Sequence, residues 1–237
     1  MFEALKSKIA GKNVRIVFPE AMDPRILGAV VRLKRENLLE PVLLGNPAEI
    51  NETAKAQGFD LTDVDIYDPN NYEKYDEMVD AFVERRKGKA TKEQAIEMLR
   101  DVNYFGTMLV YLDLVDGLIS GAIHSTSDTV RPALQIVKTR PGVNLTSGAF
   151  IMLRKNDRFL FSDCAINPDP NAEQLAEIAV ESARTAEIFD IDPKVALLSF
   201  STKGSGSGPM VDKVREATEI AKEMAPDLAL DGELQFD

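Results

Sequence analysis

A single cysteine, Cys164, and a single histidine, His124, occur in 237 residues. One thiol cannot build an intramolecular disulfide framework, and one imidazole beside one thiol cannot supply the His/Cys set of a zinc site. Basic charge is scarce too: 28 Lys and Arg against 39 Asp and Glu leave a net charge of -11. That balance argues against general binding to nucleic acid or to an anionic membrane, and no segment resembles a polybasic arm. No apolar run approaches membrane-spanning length, and the opening Met-Phe-Glu-Ala-Leu-Lys-Ser-Lys lacks the basic, apolar, small-residue order of a secretion signal. A metal-independent cytoplasmic protein is the expectation. Because the overall field repels anions, any anionic ligand has to be held by a local cluster of Arg, Lys and backbone N–H groups.

What the chain does have is enough apolar content, 44%, for a substantial core, and short apolar runs that alternate with segments of helical period. Val14–Phe18, Pro41–Leu44, Val64–Tyr67 and Val115–Ile119 read as buried strands. Asp23-Pro24 and Asn46-Pro47 each place a capping side chain before a proline at the first helical position, and Thr91 with Gln94 fits a capping box. Helices are expected from Pro24 toward Asn37, after Pro47, over Tyr72–Lys87, over Thr91–Arg100 and near Thr129–Lys138. The βα alternation predicts a mostly parallel sheet with helices on both faces. Thr139-Arg140-Pro141-Gly142 breaks the pattern, so a first α/β domain is predicted over 1–140 and a second over 141–237. In the second, Phe150–Leu153 and Phe159–Phe161 flank a polar turn as a β-hairpin. Asn171–Phe189 and Pro209–Met224 are helical, Val195–Phe200 is a strand, and Leu228–Leu230 begins another with no helix after it, so this domain is expected to be incomplete, with an exposed sheet edge and apolar patch that favour association.

Two strand-to-helix segments could carry chemistry. Ser199-Phe200-Ser201-Thr202-Lys203-Gly204-Ser205-Gly206-Ser207-Gly208-Pro209 offers glycines for close backbone approach, hydroxyls, a lysine and a helix N-terminus, the parts of an anion cradle. Its Thr-Lys-Gly-Ser order is not the Gly-Lys-Ser/Thr of an NTPase loop, and the plainer alternative is a solvated connection. Ser120 to Pro132 contains Ser125, Thr126, Ser127, Thr129 and Arg131, which could bind phosphate or an acyl oxygen, although ordinary helix capping explains one or two of the hydroxyls. His124 could be a general base but lacks an assignable carboxylate partner, and Cys164 lacks an activating imidazole; a structural role suits both better. Arg85-Arg86-Lys87-Gly88-Lys89 could meet the phosphates of a nucleotide-like molecule or simply end its helix. The aromatic stretch Asn103-Tyr104-Phe105-Gly106 suits packing, with Tyr104 able to line a cleft. A dehydrogenase reading is disfavoured, since no Gly-x-Gly-x-x-Gly follows the first strand.

Seven segments in order carry a resemblance that spans essentially the whole chain: Val17–Glu20, Val102–Met108, Ser120–Thr126, Thr129–Gln135, Asp163–Pro168, Leu198–Ser205 and Asp231–Asp237. With them the chain resembles the phosphate acetyltransferases of the phosphate acetyl/butyryltransferase family. The resemblance implies two three-layer α/β/α domains related to isocitrate and isopropylmalate dehydrogenases, with a cleft between them and a homodimer for the full-length protein. It implies transfer of an acetyl group between coenzyme A and phosphate in a ternary complex, with no tightly bound cofactor and with acetyl phosphate, phosphate and coenzyme A as partners. A longer acyl group, or a non-catalytic phosphate- and coenzyme A-binding fragment, is the alternative. On this chain it assigns substrate binding to Ser125, Thr126, Ser127, Thr129 and Arg131, faced by Ser201, Thr202, Lys203, Gly204 and Ser205, and coenzyme A binding to Arg86. The family's Asn-Asp-Leu-Ser-Arg-Gly motif has no counterpart here, so the catalytic base is expected beyond Asp237.

Overall fold

In the computed structural model, which describes residues 2–236, the chain divides into one unit ending at Lys138 and a second beginning at Thr139. The first unit runs α1 (Phe2–Ile9), β1 (Arg15–Phe18), α2 (Pro24–Arg35), β2 (Glu40–Leu44), α3 (Pro47–Ala56), β3 (Asp65–Tyr67), α4 (Tyr75–Arg86), α5 (Lys92–Met98), α6 (Val102–Tyr111), β4 (Gly117–Leu118) and α7 (Thr126–Ile136). Its four strands lie in the order β3-β2-β1-β4, and every pairing is parallel. Alternation along the strands sends successive side chains to opposite faces. Val17, Val42 and Leu44 join Met78, Phe82, Phe105 and Leu109 on one side, while Phe18 and Leu43 join Leu27, Val30 and Ile50 on the other. The sheet is therefore sandwiched between helical layers, the α/β architecture expected.

The caps at Asp23, Asn46 and Thr91 form as the sequence predicts. Two helices were not anticipated, α1 and α6. The second is capped by Asp101, which accepts N–H bonds from Asn103 at 2.9 Å and Tyr104 at 3.1 Å. Helix α6 is apolar nearly all round, so it shows no amphipathic period; burial on several sides explains the pattern. Gly106 lets it lie against the sheet, since a Cβ there would meet Leu118 Cδ1 at 2.8 Å and Leu44 Cδ1 at 3.1 Å. Helix α7 starts at Thr126, earlier than the periodicity suggested, because Ser125 and Asp128 form a capping box.

The second unit contains a hairpin of β5 (Ala149–Arg154) and β6 (Asp157–Ser162), followed by α8 (Ala172–Ile188), β7 (Lys194–Leu198), α9 (Pro209–Met224) and β8 (Ala229–Leu234). Strands β7 and β8 pair in parallel. Leu197 packs with Ala172, Ala179, Val214 and Ala217 of the two helices, whereas Leu198, on the opposite face, is exposed. In the hairpin Phe150 opposes Phe161 and Met152 opposes Phe159, and all four are exposed.

Gly232 of β8 fits directly under α9. A Cβ there would collide with the Thr218 hydroxyl and stand 2.9 Å from Leu197 Cβ and 3.2 Å from its carbonyl oxygen. Gly232→Ala should therefore destabilise the second unit by about 1–3 kcal/mol, the usual cost of overpacking, and adding Thr218→Ala should restore only part. Thermal denaturation of the single and double variants checks this; an unchanged melting temperature for Gly232→Ala would refute the close packing.

Candidate functional site

The connection from β4 to α7 is built around a carboxylate from elsewhere. Glu20, in the turn after β1, is only 3% exposed. One oxygen accepts N–H bonds from Gly121 (3.0 Å) and Ala122 (2.7 Å), and the other from Ile123 (2.7 Å) and His124 (2.8 Å). The His124 ring adds a fifth contact, Nδ1 to Oε1 at 2.9 Å. Burial by itself pushes this carboxyl upward, but the N–H groups of Ile123, His124 and Ala122 with the His124 ring overcome it and bring it down to about 2. Sequence reasoning found no carboxylate for His124, because Glu20 lies 104 residues away and reaches it only through the parallel β1–β4 pairing. Arg25, from α2, donates to the Ala122 carbonyl at 2.8 Å and braces the same loop.

Beyond this loop the hydroxyls divide between capping and exposure. Ser125 is the N-cap, exchanging bonds with Asp128 at 2.7 and 3.2 Å, and Thr129 donates to the Ser125 carbonyl at 3.1 Å. Arg131 donates to Ser127 at 2.8 Å. Thr126, at the first helical position, makes no side-chain hydrogen bond among the described residues and is exposed. Capping thus accounts for Ser125, as the plainer alternative held, while Thr126, Ser127 and Arg131 stand at the solvent-facing start of α7, where N–H groups and the helix dipole favour an anion.

Arg86 comes close to the same helix. Its Nη1 reaches the Gln135 carbonyl at 3.4 Å, its Nε is buried without a partner among the described residues, and Tyr104 donates to the Gln135 side chain at 3.1 Å. Burial raises the Tyr104 phenol while the positive charges of Arg131 and Arg86 lower it, so both guanidiniums act on one hydroxyl. Arg85 donates to the carbonyls of Ile136 (2.5 Å) and Val137 (2.9 Å) at the C-terminus of α7 and lies 4.9 Å over the Tyr111 ring. The basic run therefore ends a helix favourably, although that helix is α7 as well as its own. Lys138 adds to the cluster: burial first, then Arg85, Lys87, Lys89 and Arg86, push its ammonium down.

In the second unit the Ser199–Pro209 loop is laced to β8 and the residues after it. Glu233, 2% exposed, takes the Gly204 N–H at 2.8 Å, the Ser201 hydroxyl at 3.1 Å and both Nε and Nη2 of Arg215 at 2.9 and 3.0 Å. The Arg215 bonds come first among the causes that bring its carboxyl down to about 2. Lys203 pairs with Asp231 at 2.5 Å and the Gly232 carbonyl at 2.8 Å, Thr202 bonds Gln235 at 3.2 Å, and Ser205 accepts the Thr202 N–H at 2.9 Å. The donors read from the sequence as a cradle are brought together, and Ser201, Lys203 and Gly204 already hold carboxylates or carbonyls of the chain itself. Arg215 and Glu233 escaped sequence reasoning: Arg215 sits two turns into an unremarkable amphipathic helix, and Glu233 stood out only within a family segment.

Cys164 lies in a loop held by Asp163, which accepts N–H bonds from Ala165 (2.8 Å), Ile166 (3.0 Å) and Asn167 (2.8 Å). Among the described residues no group of His, Cys, Asp and Glu is gathered as a metal ion would require, and no helix is long and apolar enough to cross a membrane.

A parallel α/β sheet whose strand-to-helix turns gather hydroxyls, guanidiniums and free N–H groups defines a class of anion-handling α/β proteins. Comparison with known proteins makes the class specific: the phosphate acetyl/butaryl transferase family model matches residues 1–237, and the chain belongs to that family of acyltransferases. It is 58% identical to the phosphate acetyltransferase of Bacillus subtilis across the whole chain, which spans 73% of that protein. The crystal structure of a phosphotransacetylase from Streptococcus pyogenes superposes with a TM-score of 0.95 at 62% identity, covering 100% of this chain and 72% of that one. A branched-chain phosphotransacylase from Enterococcus faecalis, at 16% identity, a TM-score of 0.60 and coverage of 94% and 69%, shares the fold.

Since the folded pKa of Glu20 lies below its ordinary value, its contribution is complete above about pH 5 and is lost as the pH falls toward 2. The ionised carboxylate should stabilise the first unit by about 3 kcal/mol at neutral pH. Glu20→Gln should remove that stability and flatten the acid limb, measured by urea unfolding between pH 7 and pH 3. A variant as stable as the parent at pH 7 would refute the assignment.

Proposed function

We propose that this chain carries the phosphate acetyltransferase reaction, in which acetyl-CoA and phosphate exchange with coenzyme A and acetyl phosphate. The observation that carries the reading is the 58% identity to a phosphate acetyltransferase across every residue of the chain. In the direction of acetyl-CoA synthesis, the coenzyme A sulfur attacks the carbonyl carbon of acetyl phosphate. A C–S bond forms, the C–O bond to phosphate breaks, the phosphate leaves with the bonding pair, and the thiol proton passes to a base.

The tasks of the protein are to orient two anions and to favour charge as it develops on the carbonyl oxygen. The start of α7 suits the phosphoryl group: the dipole and free N–H groups face it, with Thr126, Ser127 and Arg131 at hand and Ser125 and Thr129 shaping the turn. Arg86, within the basic cluster at the end of α4, suits a coenzyme A phosphate. In the second unit, Ser201, Thr202, Lys203, Gly204 and Ser205 form a rim whose outer members, Lys203, Gly204 and Ser205, are exposed. The resemblance supports substrate contact for them, with Glu233 and Arg215 fixing the loop. The base is assigned to no residue of this chain. The resemblance also supports a homodimer and a cytoplasmic location.

Formation of acetyl-CoA from acetyl phosphate and coenzyme A tests the reading. It is expected of the full-length protein, with acetyl preferred over butyryl phosphate and with Arg131→Ala lowering kcat/KM by roughly 100-fold, the loss of a charge-assisted bond to phosphate. Absence of turnover in the full-length protein would reject it. A preference for butyryl phosphate would shift the assignment to the longer acyl group.

A further inference from the structure

Five cations meet where α4 and α7 end, and the reaction as described uses one of them, Arg86. We infer that Lys138 is an acetyl-accepting lysine, modified by acetyl phosphate that the surrounding cations draw in. The inference rests on the proposed function in one respect, that acetyl phosphate is handled by this protein.

The cluster is built by two helix ends. Lys87 and Lys138 each stand just past a helix in the left-handed conformation, with φ of 50° and 67°, and the Lys138 N–H closes on the Ala133 carbonyl at 2.9 Å. The carbonyls that would ordinarily receive a lysine at the end of α7 are already taken: Arg85 donates to Ile136 and Val137, and Arg86 to Gln135. Among the described residues no carboxylate lies within ion-pair distance of Arg85, Arg86, Lys87, Lys89 or Lys138. The acids that could have balanced them are engaged or remote. Glu84 of α4 is exposed and unpaired with them, Asp128 is bonded to Ser125 at the far end of α7, and Glu181 pairs with Arg140. Helix α6, also packed on α7, presents phenols rather than carboxylates, Tyr104 to Gln135 and Tyr111 beneath Arg85.

Positive charge without a counter-charge is relieved by releasing a proton, and guanidiniums do not release theirs, so a lysine must. Loss of solvation first, then Arg85, Lys87, Lys89 and Arg86, push the Lys138 ammonium down, and the residue stays accessible to solvent. The same cations that free the amine attract a dianionic acyl donor. In the reaction the amine lone pair attacks the carbonyl carbon of acetyl phosphate. An N–C bond forms, the C–O bond to phosphate breaks, phosphate leaves with the bonding pair, and the proton lost by nitrogen ends on that phosphate. The product is a neutral amide. One charge is then missing beside Arg86, so accumulating acetyl phosphate weakens the cluster proposed to meet coenzyme A.

The test treats the full-length protein with acetyl phosphate, without coenzyme A and hence without turnover, and follows each lysine by mass spectrometry. Lys138 should be acetylated about tenfold faster at pH 8 than Lys55, an exposed lysine of α3, and the preference should narrow above pH 10, where ordinary lysines also lose their proton. Replacing its exposed neighbours, Lys87→Gln with Lys89→Gln, should slow acetylation of Lys138 about fivefold and leave Lys55 unchanged. Equal rates at Lys138 and Lys55, or a double variant that modifies Lys138 as fast as the parent, would overturn the inference while leaving the proposed function in place. Preferential acetylation of Lys138 in a protein that fails to turn over acetyl phosphate and coenzyme A would uphold the reactive lysine and remove the proposed function.

Discussion

Water solvates a carboxylate so well that burying one is costly unless hydrogen bonds replace the lost shell. The folded loops of this protein are arranged around that requirement. Glu20 gathers four successive N–H groups, Asp163 gathers three and the Gly148 N–H, Glu177 gathers those of Asn144 and Leu145, and Glu233 takes one with a serine and an arginine. Each case satisfies two demands at once, since a loop without ladder partners has N–H groups to place and the carboxylate has lone pairs to fill. The carboxylate becomes a nucleus that gives an irregular segment one conformation. Every loop proposed to meet substrate is shaped by such a nucleus or adjoins one.

The same physics separates the two glycine- and hydroxyl-bearing turns, which look alike as sequence. Both follow a strand and open a helix, and both offer concave N–H groups. In the Ser199–Pro209 turn the inner donors are taken by Glu233, leaving the outer rim as the surface that meets solvent. In the Ser120–Pro132 segment the internal carboxylate sits behind the loop, so it orders the backbone and leaves the start of α7 open. One turn is braced from within, and the other is braced from behind and presented outward.

Much of the fold was legible because local chemistry and tertiary structure agree. Asp23-Pro24, Asn46-Pro47 and the Thr91/Gln94 box mark helix starts that the structure keeps, and the runs ending at Phe18, Leu44 and Tyr67 become strands. Helix α6 was missed since burial on several sides erased its period, and the role of Gly106 appears only when Leu118 and Leu44 are set against it. The site was legible as residue types and illegible as partnerships. Ser125 to Arg131 stand together in sequence and in space, whereas Glu20 with His124 and Arg215 with Glu233 are pairings made by sheet order and helix packing, which no local pattern records.

An acidic protein that handles two anions must confine positive charge rather than spread it. The first unit does so by stacking helix ends: Arg85 and Arg86 from the end of α4 bond the carbonyls at the end of α7, and Lys87, Lys89 and Lys138 gather at the same place, where burial first and then the neighbouring cations push the Lys138 ammonium down. The last carbonyls of α7 draw two guanidiniums to its C-terminal end, while its free N–H groups and Arg131 serve its N-terminal end. One helix thereby organises two cationic regions separated by about the 16 Å rise of eleven residues. Under the proposed assignment a phosphate would need only the first of them, whereas coenzyme A meeting Arg86 would need the second, so the length of α7 would set the spacing between the two.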